Sequence, residues 1–138
     1  MRLSGQLLGS TPIVLDEINP DLRPYLVPFL EWVDDDWTDC CFLSGPMVRA
    51  GYDPQETKRI ALEVLRYAFG RGWVVAGHLP RRFERWPGGP SDWLARLESE
   101  WPNDRDPGIG EVAWFDLADG AQPAITTLLE EEYDRRAA

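Results

Sequence analysis

The chain has 138 residues, the size of one domain with a real core. Its composition, 43% hydrophobic and 28% charged, excludes a disordered polymer, and no apolar run approaches the roughly 20 residues that span a bilayer. A net charge of −10 disfavours a polyanion as the general partner, because phosphate neutralisation favours a basic domain.

Residues 1–19 carry two short apolar runs, Leu7-Leu8 and Ile13-Val14-Leu15, the second a candidate strand. From Asp21 the spacing of Leu22, Leu26, Phe29, Leu30 and Val33 predicts a helix, which Pro28 should kink or end. A further short helix is expected between Trp37 and Val48, interrupted at Gly45-Pro46. The clearest helix covers 53–69. Asp53 is its N-cap, Pro54 suits the first turn, Glu56 completes a capping-box-like pattern, and Ile60, Ala61, Val64, Leu65 and Ala68 share one face.

Residues 73–79 and 111–117 read as strands, each apolar on both faces. A solvated hairpin is apolar on one face only, so something must cover the other. The 31 residues from 80 to 110 far exceed a tight turn of about two to five. Within them Ser91 can cap a helix over 91–101, with Trp93, Leu94, Leu97 and Trp101 as its stripe. This inserted helix is expected to pack back on the hairpin. A last helix, 121–136, packs through Ile125, Leu128 and Leu129. The expected class is α+β, mostly helical, with a short antiparallel sheet.

Chemistry-bearing patterns are sparse. The single histidine, His78, lies mid-strand with no G-x-S-x-G elsewhere, so it reads as a strand residue at a polar rim. No C-x-x-C, H-E-x-x-H or EF-hand loop occurs, and no phosphate-binding glycine motif, so neither metal nor cofactor is expected. Cys40 and Cys41 are adjacent, where a disulfide is awkward. With no basic stretch leading an apolar core at the N-terminus, a reducing, cytoplasmic setting is expected.

Charge is unevenly spread. Residues 49–85 carry eight bases against four acids, whereas the flanks, 1–48 and 86–138, carry −6 and −8. On the 53–69 helix, Gln55, Arg59, Leu62 and Arg66 fall opposite the buried stripe. One reading has Gln55, Lys58, Arg59 and Arg66 facing a DNA groove, with Arg81, Arg82 and Arg85 holding phosphates. The plainer reading is a solvated face on which Glu56 and Glu63 neutralise those bases. The acidic residues Asp34, Asp35, Asp36 and Asp39 ordinarily mark solvated surface. Joined to exposed aromatics such as Trp37 and Trp86, they would form an interface for a basic partner.

Helix 53–69, strand 73–79, a wing, strand 111–117 and the passage Leu117-Ala118-Asp119-Gly120 resemble the second half of a winged helix-turn-helix of the MarR family. The resemblance implies a winged-helix-like domain with an extra helix in the wing, base reading by Gln55, Lys58 and Arg59, and backbone contacts from Arg81, Arg82 and Arg85. The usage of Arg, Trp and Asp with a single Lys also resembles small proteins of high-GC bacteria, some of them similar to immunity or antitoxin partners. Taken together, the expectation is a non-enzymatic module whose acidic surface binds a basic protein, with a DNA-binding regulator as the alternative. Either the 22–33 or the 121–136 helix could serve a homodimer.

Overall fold

The computed structural model describes residues 18–137; the candidate strand at Ile13-Val14-Leu15 lies outside them. The chain is α+β and mostly helical. In order it forms α1 (Arg23–Asp35), β1 (Thr38–Asp39), α2 (Cys40–Arg49), α3 (Pro54–Gly70), β2 (Val74–His78), β3 (Glu84–Arg85), α4 (Pro90–Glu100), β4 (Trp114–Leu117) and α5 (Gln122–Ala137). The strands make one antiparallel sheet in the order β1-β4-β2-β3.

α1 continues through Pro28 and α2 through Pro46, where the sequence suggests breaks. Each proline lacks only the N–H that would reach a first-turn carbonyl, of Pro24 or Phe42, so the loss falls at the helix start. Burial of Leu26, Phe29, Leu30 and Val33 on α1, and of Leu43 and Met47 on α2, holds both helices in register. α3 follows its sequence signals closely. Asp53 accepts from the Glu56 N–H at 2.9 Å, Pro54 opens the first turn, and Ile60, Ala61, Val64, Leu65 and Ala68 are buried.

Register fixes the two faces of the sheet. Val74 faces Leu117, and Ala76 faces Phe115, on the side where Phe115 meets Phe29 and Phe69 with ring centroids 5.4 and 6.3 Å apart. The Trp86 N–H bonds the Ala76 carbonyl at 2.9 Å and extends that side. Trp93 of α4 then packs on Phe69 at 5.2 Å and donates to the Trp86 carbonyl at 3.3 Å. The sequence suggests that the inserted helix covers the hairpin's second face; instead it enlarges the core beside α3. On that face the loop before β4 lies against Trp114. Gly110, at φ +68°, lies so close that a Cβ there would sit 3.1 Å from Trp114 Nε1. Only a glycine takes that conformation with so little room.

One lysine locks α4 to α3. The Lys58 ammonium donates to the carbonyls of Glu98 and Trp101 and to Asn103 Oδ1 at 2.8, 3.0 and 2.9 Å. It thereby satisfies carbonyls that the end of α4 leaves without helical partners. Trp101 itself is fully buried, and Leu97 packs beside it in the core. Lys58→Met keeps the aliphatic stem but orphans those carbonyls. It should lower unfolding free energy by about 2–3 kcal/mol, read as a shift in denaturant midpoint at unchanged slope; an unmoved midpoint would show that the lysine carries none of this load.

Candidate functional site

α1 ends at Asp35, and the capping residue Asp36 turns extended. The Asp36 carboxylate accepts the Trp37 N–H at 2.7 Å. Thr38 and Asp39 then pair with Phe115 and Trp114 as the edge strand, and the Asp39 carboxylate caps α2 by accepting the Phe42 N–H at 3.0 Å. This tight sequence of cap, strand and cap sets Trp37 and Phe42 beside Trp32 of α1. Trp32 and Phe42 lie with centroids 5.8 Å apart, tilted by 56°. Together with Asp35, Asp36 and Thr38 the three aromatics line a cleft of about 180 Å³.

Trp32, Trp37 and Phe42 are 37%, 38% and 47% exposed, although aromatic rings are the groups whose burial stabilises a core most. Grouped exposed rings rimmed by carboxylates are the composition that interaction surfaces commonly have. Thr38, on the cleft wall, has a buried hydroxyl with no partner.

The residues singled out from sequence divide. Asp35, Asp36 and Trp37 belong to the cleft. Asp34 is half-buried and accepts from Gln122 Nε2 at 2.9 Å, tying α1 to α5. Asp39 is fully buried, with its second oxygen on the Gly110 N–H, so it shapes the cleft without facing a partner. Trp86 is also buried, under the Arg96 guanidinium 4.0 Å from its ring, with its indole donating to His78 Nδ1 at 3.1 Å. The expectation that it is an exposed anchor is corrected: pairing beside β2 turns it into the core. Trp32 and Phe42 were not singled out, and the signal for them is a large ring off the buried stripe of its own helix.

The bases divide as well. Lys58 is corrected from a groove-reading residue to the internal lock between α3 and α4. Leu62 is buried as well, beside Glu98 and Asn103. The solvent stripe of α3 is thus Gln55, Arg59, Glu63 and Arg66. Arg59 pairs with Glu56, and Arg66 lies 3.7 Å from Glu63. Hydrogen bonding to Glu56 and its charge raise the Arg59 pKa further. Arg81 and Arg82 are exposed between β2 and β3, and Arg85 sits 5.7 Å over the Trp93 ring.

Among the described residues, no group of three or more His, Cys, Asp or Glu side chains is placed to hold a metal ion, and no helix is long and apolar enough to cross a membrane. No family model, curated protein or solved structure matches the chain.

Half-exposed rings contribute less to folding than buried ones. Trp32→Ala, Trp37→Ala and Phe42→Ala should each cost only about 1–2 kcal/mol, in keeping with half-burial, whereas Trp101→Ala should cost about 3–5 kcal/mol. Thermal denaturation of the four variants separates the classes; a cleft ring as costly as Trp101 would mark the cluster as core.

Proposed function

We propose that the chain is a non-enzymatic protein-binding module, of the immunity or antitoxin kind, that engages a basic partner protein. The observation that carries this reading is the exposed Trp32, Trp37 and Phe42 cluster with Asp35 and Asp36 at its rim, on a chain of charge −10. Aromatic rings supply contact area at low entropic cost, and the surrounding negative field speeds encounter with a basic surface and rejects acidic ones. The free thiols of Cys40 and Cys41 accord with a reducing, cytoplasmic setting.

Strand order supports a winged-helix-like reading of the framework: β1, just ahead of α2, pairs with β4, which pairs with β2. α2 and α3 then stand as the helix pair, and the 79–113 segment as an enlarged wing. On this reading the recognition helix has been turned inward by its lock to α4. A DNA-binding regulator remains the second reading because Arg81 and Arg82 are exposed and make no ion pair among the described residues.

Affinity capture from a lysate of the source cell tests the first reading. Wild-type protein should retain a basic partner, with about tenfold or greater loss in both Trp37→Ala and the Asp35→Lys/Asp36→Lys double variant; equal retention by all three would reject the cleft as the docking site. A mobility-shift assay on random and upstream genomic DNA tests the second. No complex is expected at low salt, whereas one that dissolves steeply as salt rises would favour the regulator.

A further inference from the structure

The cleft between α1 and α2 has a chemistry more specific than a general acidic surface. Its lining residues are Trp32, Asp35, Asp36, Trp37, Thr38 and Phe42, with two carboxylates and no positive charge. Its volume of about 180 Å³ is well above that of one water and admits a flat cationic head with part of an aliphatic stem. The Trp32 and Phe42 rings, tilted by 56°, present π-faces instead of stacking closed on each other.

We infer that the occupant of this cleft is an arginine side chain of the partner protein, its guanidinium against the Trp32, Trp37 and Phe42 rings and its N–H groups toward Asp35 and Asp36. The inference rests on the protein-binding reading and names its anchor. An aliphatic plug would strip water from both carboxylates and leave them unpaired, which is costly. A lysine supplies charge, but its ammonium is compact and strongly hydrated. Arginine is planar, less hydrated and forked, so it can stack on a ring while donating to a carboxylate at the edge.

The test uses the whole chain and a small probe. Indole N–H signals of Trp32 and Trp37, assigned with Trp32→Phe and Trp37→Phe, are followed by NMR during titration with N-acetyl-arginine amide. The lysine and citrulline analogues serve as controls, citrulline keeping the shape without the charge. Both signals should move saturably with arginine, bind lysine about fivefold more weakly, ignore citrulline, and stay still for arginine in Asp35→Asn/Asp36→Asn. No movement, or equal response to citrulline or lysine, overturns the assignment. A concentration-dependent dimer broken by Arg81→Ala/Arg82→Ala or by Trp37→Ala would also overturn it, making a second copy the occupant. The two levels separate cleanly. Failure of arginine with Trp37-dependent partner capture rejects only the anchor, and capture indifferent to Trp37 rejects the docking reading as well.

Discussion

The fully buried carboxylate of Asp39 is the constraint on which the arrangement turns. One oxygen accepts the Phe42 N–H and starts α2; the other accepts the Gly110 N–H, seventy-one residues away in sequence, and fastens the loop that covers Trp114. A carboxyl group this deep is tolerated only with its hydrogen bonds made, and these two tie edge strand, helix start and loop into one unit. Next to it, burial and the Asp39 charge push the Cys40 thiol well above its ordinary pKa, which keeps that side chain a neutral core group. Trp37 and Phe42 flank this unit, so its bonds set where both rings of the cleft stand. A contact surface held in one geometry loses less entropy on binding than a mobile one.

Lys58 does the complementary task on the far side of α3. By satisfying the end of α4 it fixes the inserted segment over a helix face that would otherwise be open, and Leu62 is covered with it. What remains of that face alternates acid with base, as Glu56 with Arg59 and Glu63 with Arg66. Surface pairs of this sort contribute little stability, but they cancel local charge. The basic middle of the chain is therefore quieter in space than in sequence, while the aromatic rings at Trp32, Trp37 and Phe42 stand in an uncancelled acidic field.

Much of the framework was legible beforehand because its signals are local. The Asp53 cap with Pro54, the stripe of α3 and the Trp93-Leu97-Trp101 spacing of α4 each depend on neighbours within a turn or two. The two-residue strands β1 and β3 were not, since two residues carry no periodicity. The buried roles of Asp39, Lys58 and Trp86 are illegible in the sequence for a related reason. Polar or amphipathic side chains are normally surface groups, and only partners such as Gly110, Trp101 and the Ala76 carbonyl, supplied by the tertiary fold, draw them inside. Half of the cleft was visible as an acidic run beside Trp37. Its other half, Trp32 and Phe42, comes from separate helices that meet only when the Asp39 cap is made.

Hydroxyl-radical footprinting of a captured complex tests most directly the proposal that this cleft docks a partner protein, because aromatic side chains report their own exposure. Trp32, Trp37 and Phe42 should lose reactivity in the complex while Tyr52 and Tyr133, exposed elsewhere in the free chain, keep theirs. Unchanged oxidation of the three cleft rings, with protection appearing instead on the α3 stripe or the 79–85 turn, would contradict it.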